Sequence, residues 1–314
     1  MEYTSLIFNT IVLRPYVFVF LATFLFAASR LIGWPRTASF LAITFAVAFL
    51  CEFSSTRTGI PFGWYYYTGS TEGQELYIAD VPFMDSLSFP FLLYASYCMA
   101  LAFILPAPST GRPDFAVQMI KMDFPLATRT GWPVMLLTIL FFTFIDIIID
   151  PVALQGEQWF LGRIYYYPEP GTHFGVPIAN YVGWAIVGLI SLSAYLPLDR
   201  RLGQTEPAVP HITRQVLLGC GLYYGVLIFN LSITFWIGDG LLGITGVFIY
   251  LPVTVLLALR LFRYLPAKAE QERLLRLPVE SYSIYKYLNH RLGRYNAARG
   301  NLVYIVKKSE QSIK

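Results

Sequence analysis

Seven stretches of this chain approach the roughly 20 apolar residues that carry a helix across a bilayer. They run about 16–32, 37–53, 89–105, 132–149, 182–198, 216–237 and 241–264. Lipid offers no partner to backbone N–H and C=O groups, so each stretch is predicted to be a helix. The expected fold is all-α: a polytopic membrane helix bundle of about seven transmembrane helices. Composition agrees, since only 13% of the 314 residues are charged, about half the share usual in soluble domains. Pro90 is expected at a helix start, and Pro252 inside the last span, where it should kink the helix. The N-terminus carries Glu2 and only Arg14 before the first apolar run, without the basic start and small-residue cleavage site of a secretory signal. The first run is therefore read as a retained helix.

Charge orients this map. Of 23 Lys and Arg, three (Arg14, Arg57 and Arg163) fall on the side of the N-terminus and the other 20 on the opposite side. By the positive-inside rule the N-terminus is outside and the C-terminus cytoplasmic, in a multi-pass protein of the cell membrane. The acids lean the other way, 11 of 19 falling on the outer side. Residues 1–265 form the expected transmembrane bundle and 266–314 a basic cytoplasmic C-terminal tail. Tyrosines among Lys and Arg suit that tail to the anionic inner leaflet, and nucleic acid is not an expected partner. Asp114–Phe124 reads as a short amphipathic helix along the membrane surface. Cys51, Cys98 and Cys220 lie in or beside apolar runs and are expected as small buried residues.

Against this apolar background one stretch stands out: Asp146-Ile-Ile-Ile-Asp150-Pro151. An acid inside a hydrophobic span is costly and signals function. Residues four apart share a helix face, and Asp146 lies about 5–6 Å, one turn, deeper than Asp150. Pro151 is expected to end the helix, because the residue before a proline is disfavoured in the α region. Glu52, Asp85 and Asp239 also fall at outer span ends, giving a ring of acids. Two long outer connections, 54–88 and 152–181, each follow an acid and each carry three successive tyrosines, Tyr65–Tyr67 and Tyr165–Tyr167. They read either as an internal repeat or as interfacial aromatic belts. Asp150 could simply end its helix, and Glu52 could simply reach the headgroups.

Several chemistries are excluded. Only His173, His211 and His290 are available, too few and too dispersed for a di-iron or zinc centre. No Gly-x-Gly-x-x-Gly follows a strand. A diphosphate site needs basic neighbours, and the outer face offers Arg57 and Arg163 alone. No cofactor and no metal are expected. What remains is acid chemistry among aromatics. A carboxylic acid in an apolar pocket holds its proton near neutral pH and can pass it to an alkene. Aromatic faces and carboxylates then stabilise the carbocation, and water or an internal double bond captures it. That suits an isoprenoid substrate dissolved in the bilayer.

At these residues the sequence resembles the carotenoid biosynthesis membrane proteins that include the bisanhydrobacterioruberin, γ-carotene and lycopene hydratases. The resemblance rests on Glu52 with Thr58-Gly-Ile-Pro-Phe-Gly-Trp-Tyr-Tyr-Tyr67, then Asp146-x-x-x-Asp150-Pro-Val-Ala, Trp159, and Phe174-Gly-Val-Pro-x-x-Asn180-Tyr-x-Gly-Trp184. Tyr181 stands where Phe is expected, and the basic tail has no counterpart. The resemblance implies cofactor-independent hydration of the terminal double bond of an acyclic carotenoid end (lycopene, γ-carotene or a C50 analogue) to a tertiary alcohol. On that footing Asp146 is the expected proton donor or its relay, Asp150 and Glu52 hold and activate water, and Asn180 orients it. Trp64, Tyr66, Asp85, Tyr166, His173, Phe174 and Trp184 are the expected substrate-binding residues. Two rivals stay open: a lycopene-cyclase-like enzyme that starts with the same protonation, and a non-enzymatic carotenoid-binding protein. Expected partners are a lipophilic carotenoid, membrane lipids and other carotenoid-pathway enzymes.

The charge map makes a direct prediction. Topology reporters fused at Glu2 and at Lys314 should report opposite sides of the membrane. Both reporting one side would remove a span and scatter the acids.

Overall fold

The computed structural model describes residues 2–106, 118–119, 122–203 and 212–263. Nine α-helices are formed among them: α1 (Glu2–Leu13), α2 (Pro15–Leu31), α3 (Trp34–Thr58), α4 (Phe83–Ile104), α5 (Leu126–Arg129), α6 (Trp132–Leu154), α7 (Ile178–Arg201), α8 (Ile212–Trp236) and α9 (Gly240–Leu261). The protein is an all-α polytopic membrane bundle. α3, α4, α6, α7, α8 and α9 are each long and apolar enough to cross a membrane, and the pair α1–α2, bent by 91° at Arg14, brings the number to seven if it is counted as one span. The tail from residue 266, and His211 and His290, lie outside the described residues. The expected amphipathic helix at Asp114–Phe124 is described only at 118–119 and 122–124, and there it is corrected, since Gln118–Met119 is a strand and 122–124 is not helical.

The chain falls into two units. The first comprises Met1–Leu105 and Asp123–Arg260 and carries the helices. The second comprises Pro106–Met122 and Leu261–Lys314, of which the antiparallel pair β4 (Gln118–Met119) with β6 (Phe262–Arg263) is described.

Within the first unit α4 is the axis. It packs on α2, α3, α6 and α8, while the contacts α2–α3, α3–α7, α7–α6, α6–α8 and α8–α2 close a five-helix ring around it. Every residue of α4 from Phe89 to Ala102 is buried, as expected of a helix that is apolar on all sides. Small residues permit the close approach. A Cβ on Gly219 of α8 would stand 2.2 Å from Cys98 Sγ on α4. Cys98 and Cys220 are buried and Cys51 is half-buried, all three unbridged.

Three local expectations are corrected. α4 begins at Phe83, so Pro90 lies inside it rather than at its start. α6 runs one turn past Pro151 to Leu154. A proline leaves the carbonyl four residues back without its N–H partner; here that carbonyl is Ile147, and His173 Nε2 donates to it at 3.2 Å. The bond satisfies the freed carbonyl, and the helix continues past Pro151. Finally, α1 precedes the first expected span. Its twelve residues are too few to cross alone, and the chain turns sharply between Leu13 and Pro15.

Charge is buried at both ends of the bundle, always with partners. Arg14 donates from Nε and Nη2 to Glu75 at 3.0 and 2.8 Å and from Nη1 to the Leu161 carbonyl at 2.6 Å. It thus ties the α1–α2 corner to both long connections. At the opposite end Asp199 accepts from Arg36 Nε at 2.6 Å and from Arg129 Nη2 at 2.9 Å.

Breaking a buried pair strands the other charge, at about 3–5 kcal/mol, whereas an exposed pair contributes about 0–1 kcal/mol. Arg14→Gln should therefore lower the thermal midpoint in detergent far more than Arg57→Gln, whose pair with Asp80 is exposed. Equal shifts would contradict the pinning role of Arg14.

Candidate functional site

Two short strands build the roof of the site. β1 (Tyr66–Tyr67) pairs antiparallel with β5 (Tyr165–Tyr166), Tyr66 opposite Tyr166 and Tyr67 opposite Tyr165. Thr68 extends the junction, its N–H donating to the Ile164 carbonyl at 2.7 Å and its hydroxyl to the Arg163 carbonyl at 2.5 Å. The two tyrosine runs are thus one ladder. Side chains alternate across a strand, so Tyr65, Tyr67, Tyr165 and Tyr167 turn inward. Tyr66 and Tyr166 turn outward, 38% and 39% exposed, with their ring centroids 6.0 Å apart.

The inward hydroxyls meet the acids. Tyr67 donates to Asp85 Oδ2 at 2.7 Å and to Glu52 Oε1 at 3.3 Å. Tyr165 and Tyr167 donate to Asp150 Oδ1 and Oδ2 at 3.0 and 3.2 Å. Ser86 donates to Glu52 Oε2. Asn180 Nδ2 donates to Asp146 Oδ2 at 2.7 Å and Asp150 Oδ2 at 2.6 Å, so the two acids do share one helix face and one amide spans them. Burial, and then the charges of Asp85 and Glu52, push the Tyr67 phenol well above its ordinary value. Burial and Asp150 do the same to Tyr165 and Tyr167. These phenols are therefore neutral hydrogen-bond donors throughout the usual pH range.

Below the acids lies an aromatic floor. Trp184 stacks on Phe89 at 4.6 Å between centroids, their planes 19° apart, and packs on Phe142 at 4.7 Å. Phe62 closes the side through contact with α7. A Cβ on Gly183 would come within 2.2 Å of Phe62 Cδ1 and 2.8 Å of its Cα, so only glycine allows this approach. A cavity of about 40 Å³ is left, lined by Glu52, Asp85 and Asp150 with Asn180, by Tyr65, Tyr165 and Tyr167, and by Phe62, Phe89 and Trp184. That is room for water.

Of the residues singled out from sequence, Glu52, Asp85, Asp150, Asn180 and Trp184 converge on this cavity. Asp146 lies behind it, fully buried, reached through Asn180, and its Oδ1 has no hydrogen-bond partner. Asp239 is apart, capping α9 through the Leu242 N–H and accepting from Gln155. Trp64 and Tyr66 stack on the outer face at 6.3 Å, with Tyr166 beside them. His173 holds the Ile147 carbonyl, and Phe174, at φ +49°, packs on the imidazole. Period-two alternation was the available signal for preferring Tyr65, Tyr67, Tyr165 and Tyr167 over the middle residue of each triplet. Phe62 lies inside the segment Thr58–Tyr67 without being singled out by it, and nothing in the sequence marks Phe89. Among the described residues no three His, Cys, Asp or Glu side chains are grouped as a metal site.

Comparison with known proteins adds the following. Residues 5–259 match the family described as carotenoid biosynthesis protein. The bisanhydrobacterioruberin hydratase of Haloarcula japonica is 29% identical over 202 residues, 62% of this chain and 56% of that protein. The match thus spans little more than half the length of that relative. No solved structure matches the chain.

The tight seat of Phe62 is testable. Gly183→Ala should force the ring away and cost about 1–3 kcal/mol, the range for overpacking. Gly221→Ala, with open space around its Cβ, should be neutral or slightly stabilising. The check is the thermal midpoint of each variant in detergent; a smaller effect at Gly183 than at Gly221 would refute the packing.

Proposed function

The chain belongs to the family of carotenoid biosynthesis proteins, and from that premise we propose that it hydrates the terminal double bond of an acyclic carotenoid end, giving a tertiary alcohol. One observation carries the reading: a water-sized cavity with carboxyls on one wall and aromatic faces on the other. Hydration needs both, a proton donor beside water and a surface that tolerates a carbocation.

Asp150 is the donor in this reading, because it lines the cavity. Asp146 stands behind it and shares Asn180 with it, so the pair holds one proton between two carboxyls, an arrangement that like charges at contact distance favour. The proton goes to the less substituted alkene carbon, which leaves positive charge on the tertiary carbon. Phe89 and Trp184 face that charge. Water held by Glu52 and Asp85 attacks the tertiary carbon, and its surplus proton returns to the carboxyls. One water is consumed and the acids end as they began. The cavity as it stands accepts water alone, so the carotenoid end reaches it by parting Phe62 from Trp184. The lopsided distribution of Lys and Arg supports an orientation with the acid end outside and the C-terminus in the cytoplasm.

Isotopes test the reaction in a lycopene-accumulating host or in detergent with added carotenoid. Product formed in H₂¹⁸O should carry ¹⁸O in its hydroxyl, and product formed in D₂O one deuterium on the adjacent carbon. The reaction should proceed under nitrogen. Asp150→Asn should slow label uptake at least about 10²-fold, the lower range for general acid catalysis. Label arriving from ¹⁸O₂ would reject hydration. Deuterium without oxygen label would assign ring closure instead.

A further inference from the structure

Hydration consumes water inside a site roofed by tyrosines and floored by aromatic rings, and a second cavity offers the way in. On the far side of the roof lies a vestibule of about 320 Å³ lined by Thr56, Arg57, Tyr66, Tyr67, Gly69, Glu72 and Asp80. Its walls are polar: Arg57 Nη2 meets Asp80 at 3.0 Å, and both side chains are exposed. It is thus open to water.

Tyr67 links the two spaces, though no residue lines both. It lines the vestibule, while its hydroxyl reaches Asp85, Glu52 and the Tyr65 hydroxyl, at 2.7, 3.3 and 3.3 Å. Those three residues line the inner cavity. Tyr67 thus connects the vestibule to the cavity through a hydroxyl that is hydrogen-bonded to two carboxyls of the cavity lining. The inner cavity's apolar lining is Phe62, Phe89 and Trp184, surface that suits the hydrocarbon and repels water.

We propose that the polar vestibule is the water inlet of the acid site, with Tyr67 as the positioning residue that admits water to Glu52 and Asp85, while the carotenoid arrives from the aromatic side. The proposal rests on the hydration reading. Each turnover draws one water through the inlet; its oxygen forms the new C–O bond, and one of its protons replaces the proton given to the neighbouring carbon. Separate routes keep bulk water from the carbocation until the alkene end is seated.

Glu72 lies exposed on the vestibule wall, remote from the acids. A Glu72→Cys protein treated with a bulky, charged, membrane-impermeant thiol reagent has its inlet blocked, and the same reagent on the unsubstituted protein controls for Cys51. Two readouts follow. The first is hydration rate with carotenoid binding measured alongside. The label should cut the rate at least about tenfold, leave binding in place, and be reversed when reductant removes it. A rate unchanged by full labelling overturns the inlet. The second needs no turnover: the speed at which the buried carboxyl C=O stretch shifts on transfer from H₂O to D₂O. Labelling should slow that exchange at least about tenfold; unaltered exchange overturns the inlet. If no form of the protein hydrates carotenoid, the hydration reading falls, and the exchange measurement still decides the route. Tyr67→Phe serves as the positioning test: with the hydroxyl gone, kcat should fall at least about tenfold, the lower range for losing a hydrogen bond to a charged group, while KM for the carotenoid holds. A rise in KM with kcat intact would make Tyr67 a packing residue and overturn its role.

Discussion

Backbone pairing between β1 and β5 sets where every other part of the site lies. Two strands of two residues would not hold in water. Here they are joined to α3, α6 and the α1–α2 corner through Thr68, Arg14 and the Tyr–carboxyl bonds. Pairing fixes which tyrosines face in, because a one-residue slip would exchange the two faces of the ladder. Three phenols, Tyr67, Tyr165 and Tyr167, then meet three acids from α3, α4 and α6, and those acids lie more than 30 residues apart in the chain. A roof made of one ladder is thus the device that brings distant carboxyls together in a place where an unpartnered polar group is expensive.

Much of this could be read from the sequence, for identifiable reasons. The spans are legible because lipid demands length and apolarity, which survive in composition. Asp146 and Asp150 are legible because helix geometry puts residues four apart on one face, and Asn180 meets both. The ladder is not legible. Alternation within each triplet can sort its tyrosines into two faces, but two-residue strands do not announce their partner, and tyrosines near span ends have an ordinary explanation as belts. The prolines mislead for a different reason. At Pro151 the freed carbonyl of Ile147 is met by a donor, and that donor comes from His173, 26 residues away. Neither partner announces the other.

Hydropathy also fails to rank burial. α9 and α6 are more apolar than α4, yet α4 is the helix enclosed on all sides, and α9 lies outside the ring with Leu241, Phe248 and Leu259 about 70% exposed. In water an apolar face seeks the interior; in a bilayer, lipid tails satisfy it equally well. What selects the interior helix is its packing and its polar partners. α4 brings Asp85 and Ser86 to the acid site and Tyr97 to the Arg129 carbonyl at the other end, and it accepts the close approach of α8 at Gly219.

The ring around α4 also sets an order of construction. The chain is made from its N-terminus, so α4 emerges when only α2 and α3 of its five surrounding helices exist. Two of its flanks are covered at that moment and the rest face lipid, with Ser96 bonded back to its own helix at Leu92 and Tyr67, the partner of Asp85, still without its own ladder partner Tyr165 from the second connection. α6, α7 and α8 must then insert in turn around a helix already in place, α8 closing the ring by meeting α2. The acid site is therefore absent from every shorter nascent chain: its carboxyls are gathered only after α7 supplies Asn180. The cluster of buried carboxyls thus comes together late in assembly, with α8 still to close the ring around α4.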